Sequence, residues 1–89
     1  MHIDTGNKFK IFKMNRGTLI LTNQELQDLH SYVNFEKLNI ALENIREENR
    51  VFLNEDELES ILDEIGGITD IDSIKNIKEK ISTLLLSFR

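Results

Sequence analysis

Two short stretches of this sequence dictate where helices begin. In Leu21-Thr22-Asn23-Gln24-Glu25-Leu26, Thr22 stands at an N-cap and Glu25 three residues later, the reciprocal capping box, while Leu21 and Leu26 form the flanking hydrophobic staple. Leu53-Asn54-Glu55-Asp56-Glu57-Leu58 carries the same signal, with Asn54 as cap, Glu57 at N3 and Leu53 facing Leu58. The Thr22 start follows the strand-like run Thr18 to Leu21.

The rest of the chain is read around these two points. Lys8 to Met14 alternates Phe9 and Ile11 with Lys8 and Lys10, a half-buried strand pattern. Asn15-Arg16-Gly17 reads as a turn with glycine at a positive φ, and Thr18 to Leu21 as a second strand, so an N-terminal hairpin is expected. Met1 to Asn7 is expected to be flexible. After Thr22, Leu26, Leu29, Tyr32 and Val33 share one helical face, and Phe35, Leu38, Ala41, Leu42 and Ile45 share another. The two stripes are rotated by about 140°, so the helix is expected to break near Asn34. The helix after Asn54 turns Leu58, Ile61, Leu62 and Ile65 inward and ends at Gly66-Gly67. Val51 to Leu53 is a candidate third strand beside the hairpin. A last helix starts between Thr69 and Ser73 and buries Ile74, Ile77, Ile81, Leu84, Leu85 and Phe88. No internal repeat or linker is apparent. The expected fold class is α+β: one domain over residues 1–89, with an N-terminal β-hairpin followed by three to four helices.

Chemistry is constrained mainly by what is missing. The 89 residues contain no Cys, Pro or Trp. Disulfides, thiolate ligands and a cysteine nucleophile are therefore excluded. No apolar run approaches the length of a membrane span, and the N-terminus lacks the apolar core of a signal peptide, so a cytoplasmic setting is expected. His2 and His30 lack the partner at i+4 that a zinc site needs. Asp70-Ile71-Asp72 begins like a calcium loop, but Lys75 and Ile81 occupy the glycine and glutamate positions of that motif. The four glycines, Gly6, Gly17, Gly66 and Gly67, make no phosphate loop. Neither an enzyme nor a cofactor or metal is expected.

Charge is the remaining signal. From Val51 to Ile74 there are eight acids and no Lys or Arg, whereas residues 1–21 and 75–89 each carry +3, residues 22–50 carry −3, and the whole chain carries −5. Glu55, Asp56, Glu59, Asp63 and Glu64 fall outside the apolar arc of the helix that follows Asn54, with Asp70 and Asp72 beyond it. An ordinary solvated helix exterior usually includes lysines at i+4, and this one has none. These seven residues are therefore the candidate partner-binding set. The expected function is that of a small acidic, non-enzymatic binding module, an inhibitor or regulator of phage or mobile-element origin. It would seat an acidic helix on a basic site of a nucleic-acid-handling protein, as a nucleic-acid mimic. Usage rich in Ile, Asn, Lys and Glu fits an AT-rich bacterial or phage genome. The alternative is a nucleic-acid-associated regulator using the basic hairpin (Lys8, Lys10, Lys13, Arg16) or a degenerate helix-turn-helix with Lys75, Asn76, Lys78 and Lys80. Acids on the first helix of such a motif would face phosphates, so direct nucleic-acid binding is not expected. A dimeric assembly subunit is the third candidate, because Leu86 lies off the stripe of the last helix.

Overall fold

The computed structural model describes residues 15–88, which form an α+β fold of one antiparallel strand pair and four helices. The order is β1 (Arg16–Thr22), α1 (Asn23–Tyr32), α2 (Glu36–Glu43), β2 (Glu48–Asn54), α3 (Glu55–Ile65) and α4 (Asp72–Ser87). Both helix starts follow the capping logic. Thr22 Oγ1 accepts from Glu25 N at 3.1 Å, and Glu25 Oε1 accepts from Thr22 N at 2.9 Å. Asn54 Oδ1 accepts from Glu57 N at 2.8 Å, and Glu57 Oε1 accepts from Asn54 N at 2.9 Å. The staple leucines 21, 26, 53 and 58 are all buried.

The strand map departs from expectation. β1 pairs with β2, Leu19 opposite Val51, and the link between them is the α1–α2 helix pair instead of a tight turn. The segment Val51 to Leu53 is thus the middle of a principal strand. Arg16 and Gly17 belong to β1, so the turn at 15–17 is not formed, and no described glycine has a positive φ. Gly17 has a different reason to be small. A Cβ there would lie 3.1 Å from Leu84 Cδ2 and 3.2 Å from Phe88 Cζ, because α4 closes against the strand. The proposed strand at Lys8 to Met14 and the segment Met1 to Asn7 lie outside the described residues.

The inner face of the sheet, Leu19, Leu21, Val51 and Leu53, is covered by Leu26, Leu29, Leu38, Leu58, Ile61, Ile65, Ile74, Ile77 and Ile81. The expected break after α1 is present. Val33 leaves the helix with extended φ and ψ of −126° and 121°, and the chain re-enters helix at Glu36. This lets Leu29 and Leu38 both reach the core despite their different phases. α3 ends at Ile65, but Gly66 is right-handed (φ −57°, ψ −32°), not left-handed. Lys78 instead reaches back from α4 and donates to the carbonyls of Gly66, at 3.0 Å, and Ile68. The candidate caps before α4 are unused: Ile71 is the N-cap and makes no side-chain cap bond.

An internal repeat is present, contrary to the reading of the sequence. The element order is a β-α-α unit used twice. A shift of 32 positions carries Leu21, Thr22, Glu25 and Leu26 onto Leu53, Asn54, Glu57 and Leu58. The same shift carries Leu19 onto Val51, its own partner in the ladder, so the register is the one that a twofold axis through that pair demands. Reciprocal contacts obey the same symmetry. Lys37 of α2 donates to Phe52 O (2.9 Å) and to Glu57 (2.8 Å) in the second unit. Lys80 of α4 donates to Ile20 O (2.8 Å) and to Glu25 (2.6 Å) in the first.

The two braces differ in burial. The Glu25 side chain is 7% exposed, against 22% for Glu57. Removing a base from a buried carboxylate forfeits a charge-assisted bond of about 1.5–3 kcal/mol. An exposed pair contributes less than about 1 kcal/mol. Lys80→Met is therefore expected to lower the urea midpoint clearly more than Lys37→Met, and equal losses would show the two braces to be equivalent.

Candidate acidic interface

α3 presents its acids because its apolar residues leave no alternative. Leu58, Ile61 and Ile65 are buried and Leu62 is half-buried, so one side of the helix is committed to the core. Asp56, Glu59, Asp63 and Glu64 are exposed, and Glu55 is half-buried, accepting from Asn15 Nδ2 at 3.4 Å. The fold thus gathers five of the seven candidate residues on one helix. Asp70 and Asp72 are exposed but lie past the Gly66-Gly67 turn, on the connection to α4 and in its first turn. Asp56, Asp63 and Glu64 meet no base among the described residues.

Position along α3 separates these acids. Glu55, Asp56 and Glu57 occupy the first turn, where the helix dipole favours negative charge. Asp63 and Glu64 occupy the end of the helix, where the same dipole opposes them, and no base stands in that last turn. Each such acid costs about 0.3–1 kcal/mol. A merely solvated exterior would be better served there by Lys.

Glu57 belongs to the fold and not to this surface. Burial pushes its carboxyl upward, but the Lys37 hydrogen bond, the Asn54 backbone amide and the attraction of Lys37 and Arg16 outweigh that and hold it below its ordinary value of 4.5. The capping box already set Glu57 apart from the candidate acids, but sequence reasoning missed the partners Lys37 and Lys80 and the role of Asn49. The braces link residues 20 and 55 positions apart, so no local spacing reveals them. Asn49, buried at 6% exposure, holds the Arg46 amide and carbonyl (2.9 and 2.8 Å) and the Leu21 carbonyl (3.2 Å).

Two basic residues of the alternative reading are engaged within the fold. Lys78 ties down the end of α3, and Lys80 is bound to Ile20 and Glu25. Of the four polar residues that would read nucleic acid from α4, only Lys75 and Asn76 remain available. Lys8, Lys10 and Lys13 lie outside the described residues. His30 is exposed and hydrogen-bonds the Asn39 amide oxygen through Nε2 at 2.6 Å. Among the described residues no group of three His, Asp or Glu side chains converges as metal ligands, and no helix is long and apolar enough to cross a membrane. No protein-family model matches the chain, and no curated protein or solved structure is significantly similar to it.

The Glu57 environment makes a pH prediction. A carboxyl held low in the folded state contributes stability that is present above its unfolded value and lost as pH falls through the folded one. Wild-type melting should therefore decline as pH drops below about 4.5, the ordinary glutamate value. The slope of that decline should be shallower in Glu57→Gln. Identical acid-side slopes for the two proteins would refute the assignment.

Proposed function

We propose that this protein is a small, non-enzymatic binding module whose acidic α3 surface docks on a basic site of a partner protein. The partner class that fits is a nucleic-acid-handling protein, whose groove is basic because it serves phosphates. Occupying that groove makes the module an inhibitor or regulator of the kind that phages and other mobile elements encode, acting in the cytoplasm. Asp56, Glu59, Asp63 and Glu64 are the contact residues, with Glu55 at one end and Asp70 and Asp72 flanking.

The observation that carries this reading is the placement of charge. The carboxylates that serve the fold, Glu25 and Glu57, are each matched to a lysine. Asp63 and Glu64 form no ion pair among the described residues, although they stand at the helix end whose dipole disfavours them. Residues kept against stability are the ones a binding role explains. A second reading, a modest homodimer through the C-terminal helix, rests on Leu86, which is 70% exposed.

The paired substitution Asp63→Lys and Glu64→Lys separates the readings. It should raise the unfolding free energy by roughly 0.5–1.5 kcal/mol, because both changes now suit the helix dipole. It should also abolish capture of partner proteins from a cell lysate at about 50 mM salt, a capture that weakens at about 500 mM in the wild type. A stabilised double variant that captures the same proteins as the wild type would leave the acids as solvated exterior only.

Duplex DNA provides a complementary test. The exposed acids oppose the counterion-release term, and Lys78 and Lys80 are engaged internally, so no sub-micromolar binding is expected in fluorescence anisotropy at about 50 mM salt. Tight binding that weakens steeply with salt would transfer the function to the basic residues.

A further inference from the structure

We propose that the outer edge of β1 is a second binding surface, independent of α3, which takes an extended basic peptide as an added strand. The backbone directions follow from side-chain contacts. Thr22 N–H donates outward to Glu25 Oε1, and Ile20 O accepts outward from Lys80. In an antiparallel ladder alternate residues turn both polar groups the same way. Thr18 therefore also faces outward, and so does the Ile20 amide. The partner strand agrees: Thr18 is opposite Phe52, whose carbonyl is turned away from β1 towards Lys37. Three backbone groups, Thr18 N–H, Thr18 C=O and Ile20 N–H, thus point to an edge with no third strand among the described residues.

That edge borders a groove of about 550 Å³ between β1 and α4, lined by Thr18, Ile20, Asn76, Glu79, Thr83 and Leu84 among others. Ile20, 43% exposed, and Leu84 give it apolar walls that suit alternate side chains of a strand. Charge selects the occupant. Lys80 is already neutralised by Glu25, whereas Glu79 is exposed and meets no base among the described residues. A basic side chain on the added strand answers it.

The edge of β2 is the internal comparison. The axis carries Thr18 onto Arg50, and that edge bears the exposed Arg50–Glu48 ion pair at 2.9 Å. Charged side chains in mid-strand are a common guard against strand addition. From Gly17 to Thr22, β1 has no charged residue at all. The β2 side also borders a cavity of about 560 Å³, lined by Ile40, Ala41, Asn44, Glu48 and Arg50 among others, so the charged pair and not the size of the groove distinguishes that edge. The two halves of one repeat have diverged into a guarded edge and an open one.

The test uses the full chain, ¹⁵N-labelled, titrated with the synthetic peptide acetyl-Lys-Val-Lys-Ile-Lys-Val-amide. Binding should slow hydrogen exchange at the Thr18 and Ile20 amides and leave Arg50 and Phe52 unchanged. Thr18→Pro removes one outward N–H without touching the ladder. It should weaken the peptide by about tenfold or more, the loss of roughly one hydrogen bond with its ordering. Glu79→Lys should weaken it too, and Arg50→Pro should leave affinity within about twofold. The amide readout in the wild type decides the matter if a proline variant fails to fold. Absence of binding, or equal affinity for Thr18→Pro with its melting unchanged, would overturn the proposal. Both amides already protected before peptide is added would overturn it as well, since a second copy or the chain itself would then cover the edge. Loss of binding in the Asp63→Lys, Glu64→Lys variant but not in Thr18→Pro would overturn it while leaving the α3 reading intact.

Discussion

The junction between strand and helix, built around one glutamate, is the constraint on which the rest of this structure rests. Glu25 and Glu57 each close a capping box, and each also receives a lysine from the other β-α-α unit. A two-stranded sheet is marginal by itself. Here its ends are fastened where each strand becomes a helix, and the fastening on one unit is supplied by the second helix of the other. The same lysines also satisfy carbonyls on the sheet's outer edges, at Ile20 and Phe52. One side chain thus serves a helix cap, a strand edge and the contact between halves. Neither unit can complete its own junction, which favours folding of both together.

Symmetry makes the differences between the halves informative. α4 is 16 residues long and α2 only 8. The additional N-terminal turns of α4 bring Ile74 and Ile77 into the core and place Ser73 where it donates to Asp28 of α1. Gly17 and Asn49 occupy equivalent places and solve different problems. Gly17 admits Leu84 and Phe88 beside the strand, while Asn49 fills its site and ties the 46–49 turn to Leu21. Divergence of the two edges follows the same pattern, with Arg50 standing where the first unit has Thr18.

Much of the architecture was legible because it is encoded locally. Both caps, both staples, the break at Asn34 and the inward stripes of α3 and α4 follow from spacing within a few residues. What was not legible is encoded across the chain. Val51 to Leu53 looks like an accessory strand because its partner is 32 positions away, beyond two helices. The repeat escapes notice because few positions are identical and because the loop before α4 changes the offset. Gly17 resembles a turn glycine, yet its smallness answers to side chains from the far end of the sequence. The acidic face was legible as a set of residues, and the capping box already set Glu57 apart from it. What stayed hidden is the tie of Glu57 to the other unit, because Lys37 reaches it from 20 positions away.

That division also bears on how this small core tolerates a charged exterior. A domain of this size has only a few kcal/mol of net stability, so repulsion among α3 acids is a meaningful fraction of it. The fold answers with charge placed at specific atoms instead of a general excess of bases. Lys78 sits on the carbonyls that end α3, Lys37 sits on the glutamate that starts it, and Ser73 bridges α4 to Asp28. Each contact anchors an end of a helix. The outward side of α3 can then remain uniformly negative without loosening the turns that hold it. A surface shaped in this way has a fixed geometry, because the contacts that hold α3 lie at its ends.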